Sequence, residues 1–236
     1  MQAETLRRRF GCQNWPSKPS RQPRNGAFVC LASSVPWSDP ASGQATDLEN
    51  GFGDDPGRVA ETITLAAETG LAGGSIEDYT GDPASPFYDI ELATERVGAA
   101  VEAARALPFP FAVTARAENH FRGHDDLDDT IRRLQAFEKA GADVLYAPGL
   151  KSLEEVRLVA DAVGRPLNVL APPIRGATVE QLAVAGARRI SVGGALARAA
   201  VAGLLGAGRE MREQGAFGWV FDIAPGSEIA RLLGNV

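Results

Sequence analysis

Cysteine and histidine are scarce: Cys12, Cys30, His120 and His124 are the only ones in 236 residues. Two thiols make no disulfide framework and point to a reducing compartment such as the cytoplasm. Two histidines argue against a His-rich zinc site. No apolar run approaches the roughly 18 residues of a membrane span, so a transmembrane segment is excluded. Basic residues number 24 against 30 acidic ones, and the formal charge of −6 disfavours a nucleic-acid backbone as partner. Nucleophile and nucleotide motifs are missing as well, with no G-x-S-x-G, C-x-x-C or P-loop. What is present, 44% hydrophobic and 23% charged residues, is ordinary for a globular chain long enough to bury one core.

Residues 1–46 read differently from the rest. The first 25 are basic and proline-containing without an amphipathic pattern. They fit an ill-defined N-terminal segment better than a targeting peptide. Ala27–Ala32 reads as a short strand running into the turn residues Ser33–Pro40. From Asp47 onward, short apolar runs alternate with helical patterns, the mark of βα units and a parallel sheet. Strands are predicted at Leu71–Ile76, Phe111–Ala115, Ala142–Tyr146, Leu167–Leu170 and Arg189–Val192. Helices are predicted at Pro56–Thr69, Asp89–Ala106, Leu127–Ala140, Ser152–Val163, Thr178–Ala185 and Ala195–Gln214. Gly70, Gly141, Gly164 and Gly186 fit left-handed positions that close helices. Repeating units of this size predict a (β/α)8 barrel of the TIM type, with residues 47–236 as its domain; a doubly wound sheet is the runner-up.

The polar residues gather where strands end. Asp47 and Glu49 lie two apart, on one face if the chain is extended there. Glu77 and Asp78 end the next strand, and Arg116, Glu118 and Asn119 end another. In a barrel such ends open on one face, where several carboxylates form a hard-oxygen site suited to Mg2+ or Mn2+. Arg116 has two readings, an ion pair offsetting the acids or a donor fork for a substrate carboxylate. The loop Tyr79–Tyr88 reads equally as a lid or as ordinary surface. Gly193 and Gly194, at a strand-to-helix turn, are candidates to cradle an anion. His120 and His124 read as solvated loop histidines.

The string Asp47-Leu48-Glu49-Asn50-Gly51-Phe52-Gly53-Asp54, followed by Gly74–Asp78, Thr114–Asn119, Gly141–Gly149 and Arg188–Gly194, resembles the isocitrate lyase/phosphoenolpyruvate mutase superfamily. The resemblance covers roughly Thr46 to Trp219. It implies an α/β barrel, usually a homo-oligomer exchanging a C-terminal helix. It also implies a Mg2+-dependent (or Mn2+-dependent) enzyme acting on a small 2-oxo carboxylate or its enol form by C–C or C–P bond cleavage, transfer or hydrolysis. Asp47, Glu49 and Glu77 then fall on the metal positions and Arg116 on the substrate-contacting arginine. Glu118 joins Arg116 as a catalytic candidate, and Asn119, Gly193 and Gly194 as substrate-binding candidates.

Departures from the family narrow the expectation. The Tyr79–Tyr88 loop has no cysteine, lysine or histidine, so neither the lyase gate nor the mutase gate is matched. Isocitrate cleavage and phosphonate synthesis are not expected. Fewer residues precede Asp47 than the family's strands require, so the barrel is expected to be incomplete or irregular at its N-terminus. The alternative function is a catalytically inactive or truncated family member acting as a subunit-binding scaffold. An aldolase-type Mg2+ lyase is a third reading.

Overall fold

The computed structural model describes residues 28–29 and 45–233. The turn residues Ser33–Pro40, the two cysteines and nearly all of the 1–46 segment lie outside the described residues. The chain divides into two compact units, one ending at Ser191 and the other running from Val192.

The first unit is built on seven parallel strands. They are β1 (Phe28–Val29), β2 (Ala45–Asp47), β3 (Gly73–Glu77), β4 (Ala112–Arg116), β5 (Val144–Tyr146), β6 (Leu167–Leu170) and β7 (Ala187–Ser191). Their order is β2-β3-β4-β5-β6-β7-β1. The chain advances one strand at a time, and its last strand pairs with its first. That cyclic order belongs to a barrel; a doubly wound sheet reverses direction at a switch point, so the runner-up reading is excluded. Among the described residues β1 and β2 are not paired with each other, which leaves the (β/α)8-type sheet curled but open on its N-terminal side.

The intervening helices are α1 (Pro56–Glu68), α2 (Ile90–Ala106), α3 (Leu127–Lys139), α4 (Leu153–Ala162) and α5 (Val179–Val184). Each starts on a side-chain cap, from Asp55, Asp89, Asp126, Ser152 and Thr178 respectively, which satisfies an otherwise orphaned N–H. Helix α1 buries Val59, Thr62, Ile63, Ala66 and Ala67, the stripe a 3.6-residue period lays down. Helix α3 buries Thr130, Arg133, Leu134 and Phe137, while Ile131 is only partly buried. These faces meet Val113, Ala115, Leu145, Val169 and Ile190 from the strands in one continuous core.

The predicted strands and helices are present with ends shifted by a residue or two. One cap reading is corrected. Gly70, Gly141 and Gly186 are left-handed, but Gly164 is not. Helix α4 instead closes with Val163 in extended backbone, and Gly164 donates its N–H to Glu138 Oε2 at 3.0 Å.

The second unit contains α6 (Ala195–Gln214), a 3-10 turn (Gly218–Asp222) and α7 (Gly226–Leu233), the last two unforeseen from sequence. Gly194 caps α6 and Gly193 is left-handed, so both glycines belong to this unit. Among the described residues no helix is long and apolar enough to cross a membrane.

Candidate active site

Parallel pairing sets the site. Glu77, Arg116, Tyr146 and Asn168 are register partners across β3, β4, β5 and β6, so one row at the C-terminal strand ends carries all four. Asp47 stands beside Ser75 one strand further out.

Arg116 is the hub of the row. Its Nη1 reaches Asp47 Oδ2 at 2.6 Å, and its Nε reaches Glu77 Oε2 at 3.3 Å and hydrogen-bonds Glu118 Oε1. The guanidinium carbon lies 5.2 Å from the centre of the Tyr146 ring. A second arginine, Arg122, donates Nε to Glu118 Oε2 at 3.0 Å and stands 3.8 Å from Glu77 Oε1. Glu118 is completely buried and Glu77 nearly so. Burial pushes the Glu77 carboxyl up to about 7, against the pull of Arg116 and with help from the charges on Glu118 and Asp47. Arg116 is partly buried, which opposes its charge, yet Glu118, Glu77 and Asp47 together raise its pKa.

The loop after β2 departs from the extended geometry expected of Asp47 and Glu49. The strand stops at Asp47, and Glu49 is left-handed at φ 49°, as is Phe52 at φ 57°. The two acids are therefore not placed on one face by a two-residue period. What Glu49 gives the cluster is backbone: its N–H donates to Asp47 Oδ1 at 3.0 Å and its carbonyl accepts from Glu77 N–H at 2.8 Å. Left-handed non-glycine residues need outside support. Arg96, 1% exposed on α2, supplies it by donating to the carbonyls of Asn50, Gly53 (2.7 Å) and Asp54. Tyr88 lies under the Arg96 guanidinium at 4.1 Å, donates to Asp54 Oδ1 at 2.5 Å and accepts from Asn50 Nδ2 at 3.0 Å.

Behind the row, Asp78 accepts from Glu118 N–H at 2.8 Å and Arg133 Nη1 at 3.0 Å. Its burial raises its pKa to about 6, with both partners opposing the rise. Asn119, a substrate-binding candidate, is almost fully buried. Its side chain is engaged by Asp129 at 3.0 Å and by Thr130 at 2.9 Å, where it ties β4 to α3. His120 is corrected from a solvated to a buried histidine, 5% exposed and 3.6 Å from Glu155. His124 is exposed as expected and meets Phe87 edge-on at 5.0 Å. The Tyr79–Tyr88 loop is compact: Tyr79 bridges to Phe87, and Thr80 N–H bonds the Pro86 carbonyl at 2.9 Å.

Sequence reading named Asp47, Glu77, Arg116 and Glu118, and these converge. It missed Tyr146, Arg122, Ser75 and Arg96. Tyr146 was accessible in principle, since it ends β5 as Arg116 ends β4. Arg122 and Arg96 gave no signal, because neither lies at a strand end.

The model of the phosphoenolpyruvate phosphomutase family matches residues 45–212. The chain belongs to that family. Among members of the wider phosphoenolpyruvate mutase/isocitrate lyase superfamily, the sequence is 33% identical to 2-methylisocitrate lyase of Escherichia coli over 127 residues, 51% of this chain and 42% of the lyase. It is 30% identical to an uncharacterized protein of Mycobacterium tuberculosis over 71% of this chain and 60% of that protein. The chain thus spans between about two fifths and three fifths of the length of these curated relatives. The fold matches a candidate lyase/mutase of Burkholderia cenocepacia at 55% identity and TM-score 0.76, covering 79% of this chain and 68% of that one. It also matches 2,3-dimethylmalate lyase at 26% identity and TM-score 0.69, covering 83% and 69%. The superfamily relatives are enzymes: lyases, mutases and hydrolases of 2-oxo acids and related carboxylates.

A divalent metal is implied by this family, and the donors here suit one. Asp47, Glu77 and Glu118 present hard oxygens, and Asp47 keeps a half-exposed carboxylate open to solvent. Among the described residues no three acidic, His or Cys side chains are arranged as a metal shell, because the Arg116 guanidinium lies between the carboxylates. The donor chemistry fits a hard dication, in competition with that arginine.

Proposed function

We propose that this chain is a Mg2+-dependent (or Mn2+-dependent) enzyme acting on a small 2-oxo carboxylate or its enol form, by cleavage, transfer or hydrolysis of the adjacent C–C or C–P bond. The observation that carries the reading is Arg116 held among Asp47, Glu77 and Glu118 at the strand ends. Asp47 and Glu77, with Glu49 beside them, would hold the metal, which when bound supplies positive charge to stabilise an enolate oxygen. Arg116, kept charged by its acids, orients the substrate carboxylate through its planar fork. Glu118 fixes the arginine's rotamer, and the Tyr146 ring closes one side of the guanidinium.

The test is calorimetric titration of oxalate, a planar enolpyruvate mimic, with and without Mg2+, into the parent and an Asp47→Ala/Glu77→Ala double variant. Mg2+-dependent binding lost in the variant is the expected result. No binding by a folded parent overturns the enzyme reading. That outcome favours the non-catalytic scaffold, a reading for which the guanidinium already seated among the carboxylates speaks. A second copy of the chain is the partner we propose for α6, where Leu204 is 73% and Leu196 62% exposed. Sedimentation of the parent against Leu204→Glu checks this, and a parent that stays monomeric overturns it.

A further inference from the structure

The turn after β2 contains an asparagine followed by a glycine, Asn50-Gly51, and its shape demands that glycine. Gly51 has φ 75°, and a Cβ there would stand 3.0 Å from Val59 Cγ2 and 3.3 Å from Val59 Cα. The demand carries a chemical liability. With no side chain to screen it, the Gly51 nitrogen can attack the Asn50 amide carbon. The new N–Cγ bond closes a succinimide ring and the Cγ–Nδ2 bond breaks. Ammonia leaves, taking up the proton that Gly51 N–H gives up. Water then opens the ring at either carbonyl, leaving aspartate or isoaspartate, and isoaspartate lengthens the main chain by one carbon.

The fold restrains both reacting groups. Gly51 is buried, and its N–H donates to the Leu48 carbonyl at 2.8 Å, which opposes loss of the proton. The Asn50 side chain is tied at both ends. Its Nδ2 donates to the Tyr88 hydroxyl at 3.0 Å and the Thr80 carbonyl at 3.4 Å, and its Oδ1 accepts from Phe52 N–H at 3.1 Å. Arg96 adds nothing to this restraint. It donates to the Asn50 carbonyl, and positive charge there favours the anionic Gly51 nitrogen. Thr80 and Tyr88 both belong to the 79–88 loop, so displacing that loop frees the amide. We infer that Asn50 is a self-deamidation site held closed by the Tyr88 hydroxyl, so that loosening of the turn is recorded as an irreversible covalent change. Isoaspartate at 50 displaces the carbonyls that Arg96 gathers, and the turn does not close again around it.

The experiment incubates the protein in mildly alkaline buffer and follows aspartate and isoaspartate at position 50 by peptide mapping and mass spectrometry. The folded parent is compared with urea-unfolded parent, Tyr88→Phe and Phe137→Leu. In the unfolded sample Asn25-Gly26, the other such pair in the sequence, gives the unrestrained rate. Folded parent is expected to convert Asn50 at least about a hundredfold more slowly than unfolded chain, because only the open fraction reacts. Tyr88→Phe, which removes only the hydroxyl, should react about fivefold faster than folded parent, the worth of one hydrogen bond. Phe137→Leu lowers global stability from the core of α3 and removes no bond to the turn, so its rate should stay within about twofold of the parent. Thermal melts confirm that both variants fold. A folded parent that deamidates as fast as the unfolded chain overturns the proposal. So does a Tyr88→Phe rate equal to the parent's, or a Phe137→Leu rate that rises as far as that of Tyr88→Phe, since opening would then be global.

Discussion

The acids of the candidate site fall into two pairs that live in different media. Glu77 and Glu118 are sealed inside the sheet end, while Asp47 and Glu49 stand at its edge in contact with solvent. Arg116 touches both sets, yet the same ion pair has a different worth on each side. Between buried partners, removing one charge strands the other in a poor dielectric. At the edge, water replaces whatever is lost. The inner pair thus governs whether the sheet end stays together, and the outer pair is free to exchange partners.

Arg116→Ala probes the inner side most severely. It is expected to destabilise the fold by roughly 3 kcal/mol in urea unfolding, because Glu118 and Glu77 lose their nearer cation and keep only Arg122. A loss below about 1 kcal/mol would erase the distinction between the pairs. Gly149→Ala tests the support of the inner pair without touching a charge. Its left-handed φ and the 2.7 Å approach to Phe121 predict a cost of roughly 2 kcal/mol or more.

Titration sharpens the comparison further. Burial moves the Glu77 carboxyl from its ordinary 4.5 to about 7 on folding, so in between the folded chain keeps a proton that the unfolded chain has released. The stability tied to that proton is complete below 4.5 and is lost as pH rises to about 7. Glu77→Gln, which cannot ionise, should gain on the parent across this window by on the order of 3 kcal/mol in metal-free protein. Urea midpoints read against pH check it, and parallel curves would show that Glu77 titrates normally. Asp47→Ala carries the smallest stability effect, below about 1 kcal/mol, because its partner Arg116 retains two other acids. It should nonetheless abolish Mg2+-dependent oxalate binding, which would separate function from folding at the edge.

Those same pairs show what was readable in the chain. Strand ends could be found from apolar runs, and Glu77, Arg116 and Glu118 follow from them because parallel pairing aligns successive ends. The barrel order was likewise accessible from alternating periods. The posture of Glu49 was not, since a two-residue period holds only while the strand continues and β2 stops at Asp47. The burial of His120 was hidden as well. It depends on α4 and Glu155, more than thirty positions on, packing over the loop. Helix α6 marks the opposite limit. Its pattern and ends were read correctly, yet it has no buried residue. Apolar residues along a helix announce that some surface is wanted, and they do not say which.

The Arg96 clamp carries a consequence for the chemistry of substitution. Its hydrogen bonds go to three carbonyls, groups that every residue possesses, whereas Tyr88 holds the turn through the Asn50 and Asp54 side chains. At Phe52, whose side chain points out to solvent between those anchors, the spelling of the turn is loosely coupled to its shape. Phe52, 57% exposed and left-handed, is free to become asparagine or glycine with relief of backbone strain. It is equally free to become a cysteine bearing a reporter dye. The edge of this loop thereby offers an attachment point at which occupancy by the proposed ion can be watched without disturbing the residues that would hold it.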